Sequence, residues 1–300
     1  MKDLDNMVKN NIILFPNAER DIDFLVTRRV GAMLEKQGRA VVMCYVSDDG
    51  NEPDATPRCY RTAKLEDELS SAEMIITFGG DGTILRAARA ASGLSVPILG
   101  VSMGGKGFIA ELEVEDIELI ETLASGEYKL ERRMMLDVEV ARGGEQVCRD
   151  CALNDVVIRG NNKVIDLTLH GDGQRISHFA GDGAVIATPT GSTAYSMAAG
   201  GPIVEPSAHN IIVTPICAHV LETKAFVLDS DRRVSVEIGY QKRNPAYVSV
   251  DGGELIHIQS GDIVYVSKSE RYTQLVRLSS KSFYRKVSEK LGETKGGSER

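Results

Sequence analysis

The chain has 300 residues, 42% hydrophobic and 26% charged, with a formal net charge of −8. That length provides one or two domains and ample apolar content for a buried core, and the negative balance argues against a broad electrostatic nucleic-acid footprint. No apolar run approaches the roughly 20 residues of a membrane span, and Met1-Lys2-Asp3-Leu4-Asp5 is too polar for a secretory leader, so the expected compartment is the cytoplasm.

In chain order, Asn11–Phe15 reads as a short buried strand. A helix follows, with Ile22, Leu25, Val26, Val30, Met33 and Leu34 on one face and Gly38 suited to its C-terminal cap. Ala40–Val46 is the next apolar run, and the polar, acidic stretch Ser47–Pro57 is expected to be a loop. Met74–Phe78 and Pro97–Val101 are two further strands with a glycine turn and a helix between them, and another helix is expected near Val114–Leu123. Strands alternating with helices predict a parallel, doubly wound sheet over roughly the first 130 residues.

From Met135 onward the pattern becomes β-rich, with runs at 136–141, 156–159, 164–170, 185–187, 234–238, 246–250 and 263–266. Helical periodicity survives there only around 193–199. A second, all-β domain of sandwich or barrel type is the expectation. Ser282–Leu291 is helical again, with Phe283, Tyr284, Val287 and Leu291 on one side, and 293–300 is expected to be a disordered tail.

The five cysteines, Cys44, Cys59, Cys148, Cys151 and Cys217, make no evenly spaced framework, and the single Cys148-Arg149-Asp150-Cys151 lacks the two further ligands of a zinc site. Reduced bystander thiols are the expectation. The histidines, His170, His178, His209, His219 and His257, show no metal-ligand spacing.

The chemistry concentrates in glycine turns. In Phe78-Gly79-Gly80-Asp81-Gly82-Thr83 three glycines in four positions follow an apolar strand and open a helix. Free N–H groups and the helix dipole favour phosphate at such a junction. Asp81 would repel phosphate, so it suits a hydroxyl or a metal ion, and the pair of features is what phosphoryl transfer to an alcohol needs. The same letters are also good turn chemistry. Gly100–Gly107 nearly matches a P-loop, but Gly107 stands where a Ser or Thr hydroxyl should reach Mg²⁺. Phe108 can offer an apolar site wall or plain core packing. Asn154-Asp155, before the strand 156–158, can read a ribose or an adenine edge, or simply lead the strand.

Gly181-Asp182-Gly183 begins a second strong segment that ends in Thr188-Pro189-Thr190-Gly191-Ser192-Thr193-Ala194-Tyr195. Four hydroxyls in six positions exceed what a helix cap requires, and Tyr195 offers a ring on which a base can stack. Val250-Asp251-Gly252-Gly253 is a third acidic turn after a strand.

Taken together, Gly79–Thr83, Gly107-Phe108, Asn154-Asp155, Gly181–Gly183, Thr188–Tyr195, Ala199–Pro202, Val250–Gly252, Phe283–Arg285 and Lys290–Gly292 resemble the NAD kinase family over nearly the whole chain. The resemblance implies transfer of a phosphoryl group from ATP or polyphosphate to the adenosine ribose 2′-hydroxyl of NAD, with Mg²⁺ or another divalent metal arriving with the donor. It implies an α/β Rossmann-like domain over 1–133, a β-sandwich-like NAD-binding domain over 134–274, a segment 275–292 returning to the first domain, and a homodimer or homotetramer with NAD between the domains. It makes Asp81 the general base. Gly79, Gly80, Gly82, Thr83, Arg86 and Phe108 serve donor and adenosine, Asn154 and Asp155 the ribose and adenine, Asp182 the nicotinamide, and Thr190, Thr193, Ala194, Tyr195 and Asp251 the pocket wall. Asp155 in place of a common glutamate, Lys106 beside Gly107, Ala180 before Gly181 and Gly253 after Gly252 depart from the family pattern and bear on donor choice and on NAD against NADH. A lipid or sphingoid-base kinase and a non-catalytic NAD-sensing module are the competing readings. The first wants an apolar acceptor tunnel and the second has no need of Asp81.

Overall fold

The computed structural model describes residues 11–45, 60–105, 107–161, 163–219, 224–239, 245–279 and 282–292. The expected 47–57 loop, Cys59, Lys106 and the 293–300 tail lie outside the described residues. The chain divides into two units, one made of the residues up to Arg132 together with those from Thr273 onward, the other of Arg133–Tyr272.

The first unit is built on apolar runs that suit strands buried on both faces. Its elements are β1 (Asn11–Pro16), α1 (Leu25–Lys36), β2 (Ala40–Tyr45), β3 (Thr62–Lys64), α2 (Leu65–Glu68), β4 (Ala72–Gly79), α3 (Asp81–Ala90), β5 (Ile98–Ser102) and β6 (Leu112–Glu113). The strands pair in parallel in the order β3-β2-β1-β4-β5-β6. The chain therefore leaves β1 toward β2 and β3 on one side, then resumes with β4 on β1's other flank. The strand order reverses between β1 and β4, and the crevice beyond the strand ends at such a point is where open α/β sheets bind ligands. One face of the sheet packs Ile12, Leu14, Met74, Ile76 and Val101 against Val30 and Leu34 of α1 and against Ile117, Ile120 and Leu123. Those last three lie in the helix expected near Val114–Leu123, which is a 3-10 helix over Val114–Ser125. Their strict spacing of three matches the three residues per turn of a 3-10 helix.

The start of α1 also differs from expectation. Asp23 and Phe24 are left-handed, with φ of 54° and 53°. The Asp21 carboxylate caps the helix from outside by accepting the Val26 and Thr27 amides (3.0 and 2.9 Å) and the Thr27 hydroxyl (2.6 Å). Ile22 and Leu25, placed by periodicity on the buried face, are each 64% exposed.

The second unit holds β7 (Lys129–Arg142, which begins in the first unit), β8 (Glu145–Ala152), β9 (Asp155–Gly160), β10 (Ile165–Gly171), β11 (Gln174–Gly181), β12 (Gly183–Ala187), the short α4 (Tyr195–Ala198), β13 (Asn210–Ile216), β14 (Phe226–Asp229), β15 (Val234–Ile238), β16 (Ala246–Val250), β17 (Ile256–Ile258) and β18 (Ile263–Arg277). One layer runs β11-β10-β15-β18 and the other β14-β13-β12-β9-β16-β17, antiparallel throughout. Alternate side chains of both layers, among them Leu167, Leu169, Val236 and Val264 against Val156, Ile158, Ile186, Val213 and Val248, form one sandwich core. The end of β18 re-enters the first unit, where Leu275 pairs in parallel with Ile98, and α5 (Phe283–Leu291) follows.

Candidate active site

In the first unit the glycine turn closes β4 and opens α3 at the strand-order switch point. The structure separates its three glycines. A Cβ on Gly79 would meet the Thr83 hydroxyl at 2.2 Å, so that glycine is demanded by internal packing. Gly80 is the extended residue before the helix, with φ −101° and ψ −173°. A Cβ on Gly82 would meet no protein atom within 4 Å. The fold has no steric need of glycine there, and the first turn of α3 is open on that side.

Asp81 is the first residue of α3. Its carboxylate accepts the Phe108 amide at 2.7 Å and the Ile109 amide at 3.2 and 3.3 Å. A Cβ on Gly107 would sit 2.5 Å from Asp81 Oδ1, so Gly107 is what lets the two segments meet. A carboxylate has about four lone-pair sites. The two amide donors leave room for a hydroxyl.

Sequence reasoning missed Arg20, which stands just beyond β1 on the other side of the switch point. Its guanidinium carbon lies 3.5 Å from a Cβ built on Gly80, and Nη1 donates to the Gly104 carbonyl at 3.1 Å. The exposed guanidinium thus lies over the glycine turn. No motif spacing marks it, because topology brings the ends of β1 and β4 together. Arg86, expected at phosphate, is exposed five residues into α3. That places it about 140° around the helix from Asp81. Thr83, also expected at the ligand, is buried beneath Gly79.

In the second unit Asn154 and Asp155 lead into β9 and the 188–195 segment folds over them. Thr188 accepts the Gly191 amide (3.1 Å) and donates to the Leu153 carbonyl (2.6 Å), and Thr188 N–H donates to the Asn154 carbonyl at 2.9 Å. A Cβ on Gly191 would lie 2.1 Å from that same carbonyl. The hydroxyls of this segment make hydrogen bonds within the unit. Ser192 donates to the Pro189 carbonyl (2.7 Å), Thr193 to the Thr190 carbonyl (3.2 Å), and Thr190 accepts from Arg133 Nη1 (3.1 Å). A tight Pro/Gly turn leaves backbone groups unpaired, and short hydroxyl side chains satisfy them locally. Ala194 and Tyr195 are half-buried, and the Tyr195 ring packs beside Val157, Val185 and Ile212.

Asp251, with φ 50°, is a clasp. Its carboxylate accepts the Leu153, Asn154 and Asp155 amides at 2.7, 2.8 and 2.9 Å, and its own N–H donates to the Asp155 carbonyl at 2.9 Å. Burial pushes its carboxyl above the ordinary range, against those amides. It fixes the Asn154-Asp155 corner where a ligand contact was expected. Burial, with the Asp251 charge behind it, raises Asp155 to about 7, while the Tyr195 amide pulls the other way. Asn154 Oδ1 is buried without a hydrogen-bond partner, an acceptor whose desolvation demands a donor.

Asp182 does not join this group. It precedes Gly183, which pairs with Arg159 at the far end of β9, whereas Asp155 pairs with Ala187. Five residues of strand separate the two acids, roughly 16 Å. Cys148 and Cys151 lie three apart on β8, which sends their side chains to opposite faces. They cannot act as one chelating pair. Among the described residues no group of three or more His, Cys, Asp or Glu converges as a metal site, and no helix is long and apolar enough to cross a membrane.

An acid held at the first turn of a helix, beside open glycine and an arginine at a strand-order switch point, has the parts that phosphoryl transfer to an alcohol requires, which points to the class of small-molecule kinases. Comparison with known proteins narrows it. The ATP-NAD kinase N-terminal domain matches residues 14–128 and the ATP-NAD kinase C-terminal domain residues 153–278. An NAD kinase of Ruminiclostridium cellulolyticum is 34% identical over 287 residues, covering 93% of this chain and 96% of the relative, and one of Natranaerobius thermophilus is 36% identical over 283 residues with the same coverage. A crystal structure of an NAD kinase from Archaeoglobus fulgidus in complex with ATP superposes with TM-score 0.69 at 25% identity, covering 93% of this chain and 98% of that one. Yeast NADH kinase complexed with NADH shares the fold with TM-score 0.84 at 23% identity, over 97% of this chain and 89% of that one. The chain belongs to the NAD kinase family.

Proposed function

We propose that the chain transfers the terminal phosphoryl group of ATP to the adenosine ribose 2′-hydroxyl of NAD, giving NADP and ADP. The observation that carries this reading is the Asp81 carboxylate, pinned by two amides at the mouth of the open α3 turn. Asp81 takes the proton of the 2′-hydroxyl as its oxygen bonds to phosphorus and the bond to the ADP oxygen breaks. Phosphoryl transfer has a loose transition state, so positioning and charge neutralisation are the main tasks. The amides of the first turn of α3, with Arg20 above them, suit the donor phosphates. A divalent metal carried in on ATP supplies further neutralisation of the triphosphate.

Asn154 Oδ1, buried without a partner, suits the amino group of adenine. Asp155 suits a ribose hydroxyl. In the first unit Phe108 supplies an apolar surface, with Gly79, Thr83 and Gly107 shaping the turn behind Asp81; in the second, Ala194 and Tyr195 supply one, with Thr190, Thr193 and Asp251 supporting the Asn154-Asp155 corner. Asp182 meets a more distant part of the dinucleotide. A cytoplasmic setting and a homodimer or homotetramer belong to the same proposal, the latter checked by light scattering.

The test is NADP formation from purified protein, ATP and Mg²⁺ with NAD or a lipid acceptor. NADP should form and no phospholipid should appear, and the reverse overturns the reading. Polyphosphate replacing ATP in a parallel reaction separates the donors. Asp81→Asn should lower kcat by about 10²–10⁴-fold while NAD still binds by calorimetry. Turnover near that of the parent would remove Asp81 from its role.

A further inference from the structure

Arg277 and Lys286 come from the chain that returns to the first unit, and the reading above gives them no task. Both meet the peptide run that holds Asp81. The Ile109 N–H donates to the Asp81 carboxylate, and its C=O accepts from Arg277 Nη1 at 3.1 Å. The next carbonyl, that of Ala110, accepts from Lys286 Nζ at 2.8 Å. The next residue, Glu111, donates its N–H to the Gly100 carbonyl on β5 at 2.9 Å.

The Glu111 carboxylate, with its side chain 2% exposed, gathers the returning segment. It accepts from Leu278 N–H (3.1 Å), Ser279 N–H (2.8 Å), the Ser279 hydroxyl (2.7 Å) and Arg277 (3.1 Å), with Lys286 Nζ 3.8 Å away. Glu131 gives Arg277 Nε a second carboxylate at 2.5 Å. Well-packed apolar residues of similar volume often stabilise a fold as much as a buried ionic cluster, so the cluster is weak evidence for a purely stabilising role. What apolar side chains cannot do is donate to two successive carbonyls. Each carbonyl shares its peptide plane with the N–H that follows it, so the two contacts anchor the planes on the C-terminal side of Ile109 Cα, and only the Ile109 backbone torsions then separate that anchor from the Ile109 N–H that Asp81 accepts.

We propose that Arg277 and Lys286 are positioning residues for phosphoryl transfer, fixing the Ile109 and Ala110 carbonyls so that the Phe108 and Ile109 amides aim the Asp81 carboxylate. This rests on Asp81 being the base. Small misplacements of a reacting group cost on the order of 10²-fold in rate.

The test compares full-length Lys286→Met and Lys286→Arg with the parent, measuring kcat, KM for NAD and ATP, and site-resolved amide exchange. Lys286→Met should lower kcat about 10- to 100-fold and leave both KM values near the parent's. Exchange should quicken at Phe108 and Ile109, while the core strands of both units exchange as before. Lys286→Arg should restore kcat. If Lys286→Met fails to fold, Arg277→Lys carries the same measurements, since a lysine cannot reach Ile109, Glu111 and Glu131 together. Unchanged exchange at Phe108 and Ile109, an unchanged kcat, or a kcat loss that Lys286→Arg does not restore each overturns the proposal. A parent that makes no NADP defeats the kinase reading instead, and the exchange data still decide whether Lys286 holds those amides.

Discussion

Gly82 and Asp155 are the two residues at which the fold and the proposed ligand make different demands. A Cβ at Gly82 meets no protein atom within 4 Å, and alanine is up to about 1 kcal/mol more favourable than glycine in a helix. Gly82→Ala should therefore hold or raise the melting temperature. The same methyl points into the space assigned to phosphate, where crowding costs on the order of 1–3 kcal/mol. KM for ATP should then rise about ten- to hundredfold, and unchanged ATP kinetics would remove the donor from this turn. Asp155, pushed to about 7 by burial and the nearby Asp251 charge, opposes stability as its proton is lost. Its unfolded-state carboxyl ionises near 3.8 and its folded-state one near 7. Between those values the native state binds the extra proton, so stability falls as pH rises from about 4 to 7 and is flat above. Asp155→Asn should flatten that part of the curve, as read by chemical denaturation at several pH values. If a ribose hydroxyl donates to the carboxylate, KM for NAD should rise as pH falls below 7 in the parent and stay level in Asp155→Asn.

At the scale of elements, the loop after β1 carries a sharper prediction than the helix on which sequence reasoning relied. Arg20 lies over Gly80 and Gly104, whereas Arg86 faces elsewhere on α3. Hydrogen bonds to charged groups contribute roughly 1.5–3 kcal/mol, so Arg20→Ala should raise KM for ATP about 10- to 100-fold, and Arg86→Ala should not. Equal effects in steady-state kinetics would argue against the Arg20 assignment. The contrast shows what the sequence made legible. Buried strands such as β1, β4, β9 and β12 announce themselves as apolar runs, and the turn that carries Asp81 follows from its letters. Residues that act through topology leave no local signal, so Arg20, the Asp251 clasp and the Glu111 cluster stayed hidden. Strands with exposed or polar side chains, β8 and β11, show no period, and β13 is masked by Pro215 within it. The hydroxyls of 188–193 were legible as important, but their purpose was not, because a turn that must satisfy its own backbone and one that meets a ligand use the same residues.

For the molecule as a whole, the second unit interrupts the first, and the chain must come back to complete it. Among the described residues, the buried members of the sandwich core run from Leu136 to Val266. The first unit's core includes Val276, its sheet gains Leu275 beside Ile98, and buried Glu111 depends on Arg277. Ending the chain after Tyr272 removes all three at once. An uncompensated buried charge costs about 3–5 kcal/mol, and each lost apolar side chain about 1.5–3 kcal/mol. Together these approach the 5–15 kcal/mol that typically holds a protein folded. The truncated chain should therefore lose amide protection in β1, β4 and β5 while β9, β12 and β16 keep theirs, a split that hydrogen exchange reads directly. Restoring residues 273–279 without α5 should recover most of that protection, because the Glu111 partners Arg277, Leu278 and Ser279 are then present. Kinase activity should still fall short of the parent's, since Lys286 would be missing from the Ala110 carbonyl. Equal loss of protection in both units would mean that the sandwich does not hold itself together.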